Sequence, residues 1–220
     1  VIKIKIMGID LSAKTENDTG ITIIHHNKLF FKTVFSDEEI LTEIINEGPV
    51  VVAIDAPLSL PKGRCCLEKE CKCSIRGHFR DSDKKMRKFG GVLPLTFYGM
   101  KLLTHRGIQL KKSIKTVMGN NLKLKIIETH PRTSGKIMGL GQDKQTTFNA
   151  LNNFFWVNKK ADELTNHEID SALAALTGVY YIFEKFKELG DPSEGTIIIP
   201  ETEINFDRDM NTFFPSYFKL

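Results

Sequence analysis

Val50-Val51-Val52-Ala53-Ile54-Asp55-Ala56-Pro57 is the stretch that decides the fold. Its apolar residues run without alternation, as in a strand buried on both faces. A carboxylate follows at once, and Ala-Pro then turns the chain away. Such a strand belongs in the middle of a sheet covered by helices on both sides. The residues at its carboxyl end lie where open α/β sheets carry their chemistry.

Working outward, Ser36-Asp37-Glu38-Glu39 opens a helix, with Ser36 as N-cap and Glu39 as its capping-box partner. Ile40, Leu41, Ile44 and Ile45 give that helix an apolar face, and Gly48-Pro49 stops it. Residues 2–9 alternate Ile with Lys, become continuously apolar and deliver Asp10. Residues 20–26 and 29–35 are β-rich and separated by a tight connection, so they read as a hairpin. Beyond the central stretch, two helices are expected over 94–106 and 108–118, divided by Gly107. A strand over 122–127 carries Glu128, a loop spans 130–134, and a helix covers 143–155. The clearest helix starts at Thr165, boxed by Glu168, with Ile169, Leu173, Leu176, Tyr180 and Phe183 on one stripe. A last strand is expected over 196–199.

This order predicts an α/β fold: a mixed β-sheet, first three strands antiparallel and later strands parallel, flanked by helices. The chain reads as one domain over 1–220. It has a basic, cysteine-containing insertion with helices at 61–121 and an aromatic C-terminal tail at 201–220.

The composition fits a soluble globular domain of 220 residues, 41% hydrophobic and 26% charged, and excludes a disordered, collagenous or coiled-coil chain. No apolar run reaches the length a membrane span needs, and the first residues lack a signal-peptide core. The net charge of +4 conceals a partition: residues 61–90 carry ten basic and four acidic side chains, the remainder a small negative balance. A local basic segment of this kind fits a polyanion such as nucleic acid, or else a solvated loop. Cys65, Cys66, Cys71 and Cys73 fall within nine residues, a poor disulfide framework, so a reducing cytoplasm is the expected compartment. With His78 close behind, Cys65 or Cys66, Cys71, Cys73 and His78 offer zinc its preferred ligands. Free thiols in a basic loop are the alternative.

Asp10, Asp55 and Glu128 each follow an expected strand, and Asp170 lies near the start of the last helix on a surface of small residues. If the strands run parallel, these acids meet at one sheet edge, where mutual repulsion demands a cation. Hard oxygen ligands select Mg²⁺ or Mn²⁺. The chemistry this suits is two-metal displacement at a phosphodiester. Each acid also has an ordinary reading: Asp10 opening a turn, Asp55 capping Ala56-Pro57, Glu128 pairing with Arg132, and Asp170 as a surface charge.

Gly8-Ile9-Asp10-Leu11-Ser12, Ala53-Ile54-Asp55-Ala56-Pro57-Leu58, Ile127-Glu128-Thr129-His130-Pro131 and His167-Glu168-Ile169-Asp170-Ser171-Ala172 occur in that order, followed by Gly195 to Pro200. Over residues 4–200 the chain resembles the family known as domain of unknown function 429, regarded as predicted nucleases of the ribonuclease H-like superfamily. The resemblance implies a ribonuclease H-like sheet, with acids on the first strand, the fourth strand and the last helix, matched by Asp10, Asp55 and Asp170. Glu128 is that family's own addition. It also implies divalent-metal-dependent phosphodiester hydrolysis of nucleic acid.

Candidate substrate contacts are Lys14, His130, Arg132 and Ser134 near the acids, and Arg64, Arg76 and Arg80 from the basic segment. Two other functions remain open. One is an ATPase or phosphotransferase of the actin-like superfamily, whose first strand is similar but which would need a second copy, as in a homodimer. The other is a nucleic-acid-binding protein without turnover.

Overall fold

The computed structural model describes residues 4–119, 124–140 and 143–203. The sheet grows around β1 (Lys5–Asp10) and β4 (Val51–Asp55), which pair in parallel. β2 (Thr19–His25) and β3 (Lys28–Val34) extend it on one side as the expected antiparallel hairpin. β5 (Lys125–Thr129) adds in parallel to β4, and β8 (Gly195–Pro200) in parallel to β5. With β6 (Trp156–Val157) beyond β3 and β7 (Phe186–Asp191) beyond β8, the order is β6-β3-β2-β1-β4-β5-β8-β7. The fold is thus α/β, with a mixed eight-stranded sheet, antiparallel at first and parallel later, flanked by helices.

Period-two alternation splits the core into two layers. Ile6, Ala53 and Ile127 face α6 (Asn166–Ile182) and bury against Ala172, Ala175, Leu176 and Val179. Met7, Ile9, Val52 and Ile54 point the other way. They meet Ile40 and Ile44 of α1 (Asp37–Glu47) and Leu110 and Ile114 of α3 (Tyr98–Met118). α1 has the predicted cap: Ser36 Oγ accepts from the Glu39 amide and Glu39 Oε2 from the Ser36 amide.

α6 lies directly on β1 because Gly8 has no side chain. A Cβ there would fall on the Ser171 carbonyl oxygen and the Ala175 amide. This close approach sets Asp170 beside the carboxyl end of β1.

Three expectations change. Gly107 does not divide two helices; α3 is continuous. The glycine instead lets α3 touch the exit of β4, where a Cβ would stand 2.7 Å from the Pro57 carbonyl oxygen. The 130–134 loop is the start of α4 (Pro131–Met138), with Pro131 in the first turn, where its missing N–H costs nothing. The helix expected over 143–155 is the shorter α5 (Lys144–Asn152). A short helix, α2 (Asp81–Met86), closes the basic segment after a turn of 3₁₀ helix at Lys72–Arg76. No helix among the described residues is long and apolar enough to cross a membrane. The tail aromatics Phe206, Phe213, Phe214, Tyr217 and Phe218 lie outside the described residues.

Candidate functional site

Because β1 and β4 pair in register, Asp10 stands opposite Asp55. Partners in a parallel pair leave the sheet on the same face, here the face of α6. Asp10 is buried, and Asp55 and Asp170 are half-buried. Burial, followed by the charges of Asp10 and Asp170, holds the Asp55 carboxyl well above the usual carboxylate range. Burial and the charge of Asp10 push Asp170 up to about 6, against the pull of Arg132 and His167. Three acids therefore share one end of the sheet, and two of them, Asp55 and Asp170, are raised by burial and by the charge of Asp10.

Two basic side chains attend them, His167 and Arg132. His167 Nδ1 lies 2.6 Å from Asp10 Oδ2, and this hydrogen bond raises the imidazole above its ordinary value. His167 precedes Asp170 by one turn of α6, so one helix supplies both. Arg132 Nε lies 3.9 Å from Asp170 Oδ2 with its side chain 85% exposed. Beside Asp170 opens a cavity of about 560 Å³, lined in part by Arg132, Lys136, Lys144, Thr147 and Asn166.

Glu128 lies elsewhere. Its register partner on β4 is Ile54, so it leaves the sheet on the opposite face from Asp55. Glu128 Oε2 accepts from the Leu58 amide at 2.8 Å and from Arg80 Nη1 at 2.7 Å, and Oε1 accepts from Arg80 Nη2 at 2.5 Å. The same guanidinium bonds both carboxylate oxygens of Asp83, and Arg80 is fully buried. Burial alone would lower the guanidinium; Glu128 and Asp83 outweigh it and hold it charged. Glu128 still reaches Asp55 through the sheet as a further repulsion.

The other anticipated contacts scatter. Arg64 is buried and braces its own loop, donating to the carbonyls of Cys66, Glu68 and Gly77. Arg80 is committed to Glu128 and Asp83, so of the three loop arginines only Arg76 is exposed. Ser134 is buried, with its hydroxyl 3.5 Å from that of Thr129. His130 sits at the start of α4, its pKa lowered chiefly by burial. Lys14 is solvated, its amine 3.9 Å from Glu16. The sequence reading missed Lys136 and Lys144 at the cavity. A helix starting at Pro131 would have put Arg132 and Lys136 on one face at i,i+4.

The cysteines come together. Sγ distances are 3.6 Å for Cys65–Cys71, 3.8 Å for Cys66–Cys73 and 3.3 Å for Cys71–Cys73, and all four sulfurs lie within 4.8 Å of one another. This cluster could hold a metal ion. His78 is not part of it; its Nδ1 lies 2.8 Å from Thr96 Oγ1. Among the described residues no three carboxylates are gathered as tightly. No protein-family model, curated protein or solved structure matches the chain.

Proposed function

We propose that the chain is a ribonuclease H-like nuclease, a divalent-metal-dependent phosphodiesterase acting on nucleic acid. The observation that carries this reading is the gathering of Asp10, Asp55 and Asp170 at the carboxyl ends of β1 and β4, each of the last two raised by burial and by its neighbours. Perturbed acids in a cleft, with no full countercharge, are the mark of a site built for a ligand. An all-oxygen donor set fits Mg²⁺ or Mn²⁺. Those three side chains would hold the ion. When bound, it supplies the charge a phosphodiester displacement needs at its attacking and leaving oxygens. The arrangement of acids is the one the family resemblance implies, less Glu128.

The chain's own groups have separable parts. His167 orients the Asp10 carboxylate through Nδ1. Arg132, exposed at the rim, and Lys136 and Lys144 of the adjoining cavity offer cations to the substrate's phosphates. Glu128 and Arg80 support the strand ends from the other face. Zinc is the ion suited to the thiols and takes no part in the displacement.

The test is a panel of single-stranded DNA, duplex DNA, RNA and hybrid substrates with Mn²⁺, Mg²⁺ or chelator, run beside Asp10→Asn and Asp55→Asn. Cleavage is expected only with metal and only in the parent. Full-rate cleavage by Asp10→Asn would sink the assignment. ATP hydrolysis without strand cleavage would move it to a phosphotransferase.

A further inference from the structure

The segment between Pro61 and Arg80 has almost no hydrophobic interior. Of residues 65–76 only Leu67 is a buried apolar side chain, and Ile75 is 84% exposed. A loop of this composition does not fold by burial. What organises it is polar. Its base is clamped where the amides of Lys62 and Asp81 both donate to the Glu194 carboxylate, at 2.5 and 2.6 Å. Its middle is braced by Arg64, whose guanidinium reaches carbonyls on both limbs. Its far end is the group of four thiols.

We infer that Cys65, Cys66, Cys71 and Cys73 bind one zinc ion in a closed tetrahedral site that gives this loop its shape. The sulfur spacing is the first support. With Zn–S near 2.3 Å, the edge of a zinc tetrathiolate is about 3.8 Å; three of the sulfur pairs stand 3.3 to 3.8 Å apart, and all four sulfurs lie within 4.8 Å of one another. The second is nuclearity. An iron–sulfur cluster places bridging sulfides and several irons between its cysteines. Four sulfurs all within 4.8 Å leave space for a single ion. The third is charge. Zinc displaces four thiol protons, leaving two net negative charges on the tetrathiolate. Lys69 and Lys72 are interleaved with the ligands, Arg64 precedes them and Arg76 follows them, so part of the basic run answers the metal rather than a polyanion.

Four protein ligands leave no open position, so the role is structural. The loop leaves β4 directly after Asp55 and returns at Arg80, which holds Glu128. Zinc therefore orders the arm that joins the two groups of acids. The inference stands whether or not the chain is a nuclease.

The test uses the full chain, purified reduced and without chelator. Elemental analysis is expected to find one zinc per chain, unchanged in Asp55→Asn and reduced to background in Cys66→Ser and Cys73→Ser. Should those variants fail to fold, the parent protein exchanged with Co²⁺ gives an independent reading. Intense near-ultraviolet thiolate charge-transfer and the visible bands of tetrahedral cobalt are the expected result. Reduced protein that takes up no zinc from a zinc buffer, zinc that survives loss of all four cysteines, iron in place of zinc, or cobalt without thiolate bands would each overturn the site.

Discussion

Two groups of acids lie at the same end of the sheet, on opposite faces, and the fold treats them differently. Glu128 and Asp83 surround one buried guanidinium, and Glu128 also accepts a backbone amide. Asp10, Asp55 and Asp170 have only a half-exposed histidine and a solvated arginine. The first group finds its partners within the chain: both carboxylates share one fully buried guanidinium, and each also accepts a backbone amide. The second has no buried cation, and Asp55 and Asp170 are held above the ordinary carboxylate range by burial first and by the neighbouring acids second. A buried acid with its own cation is part of the scaffold; a cluster left short of cations is where a ligand supplies the missing charge.

The sharpest way to break this contrast is Arg80→Ala. It strands two carboxylates in the interior, and removing one partner of a buried ion pair costs about 3–5 kcal/mol. Urea unfolding should show a loss of that size, a large part of a typical domain's stability. Unchanged stability would mean that Glu128 and Asp83 are not held as the geometry indicates. Asp55→Asn should do the opposite. Metal-dependent cleavage is expected to fall by about a thousandfold or more, while the melting temperature in chelator holds or rises because a repulsion is gone. A variant that unfolds while the remaining folded fraction cleaves normally would place Asp55 with the scaffold.

The contrast was half legible in the sequence. Asp10 and Asp55 could be placed because uninterrupted apolar runs identify buried strands and their ends. Asp170 could be placed because a capping box and small residues identify a helix packed hard on a sheet. Glu128 satisfied the same rule and went to the other face, because β5 pairs with β4 one residue out of step with β1: Ile54, not Asp55, stands opposite it. Register of that kind is set by loop lengths and packing, which no local pattern records. Arg80 was illegible for a related reason. Within a basic run it looks like its neighbours, and only tertiary contact separates a buried guanidinium from a solvated one. β7 escaped notice because its charged residues, Lys187 and Glu188, suit an exposed edge strand and not an apolar run.

A smaller effect follows from pH. In chelator, Asp170 has a folded pKa of about 6 against an ordinary 3.8. Folding therefore favours its neutral form: that stabilisation is complete below the ordinary value and is lost as pH rises through 6. His167 acts in the same sense, since its raised pKa means a stabilisation present when protonated and lost as pH climbs through the folded value. The metal-free protein should thus be less stable at pH 8 than at pH 5. Between those two pH values Asp170→Asn should flatten the dependence by roughly 1.4 kcal/mol, the rest of its effect falling below pH 5. Thermal melts across that range, with and without Mn²⁺, check the sign; a parent more stable at pH 8 in chelator would break it.

The smallest effect compares the two arginines directly. Arg132 faces Asp170 as Arg80 faces Glu128, yet its side chain is 85% exposed and 3.9 Å away, where water and salt screen the pair. Arg132→Ala should change stability by under about 1 kcal/mol, the usual worth of a surface ion pair. Its consequence belongs to binding instead. With one phosphate contact removed, the apparent KM for a nucleic-acid substrate should rise, and the salt dependence of binding should weaken by about one counterion. Lys136, four residues on along α4 and lining the same cavity, should behave alike. A loss of stability in Arg132→Ala matching that of Arg80→Ala would show that the cleft closes its own charges after all, and that no ligand is needed to complete it.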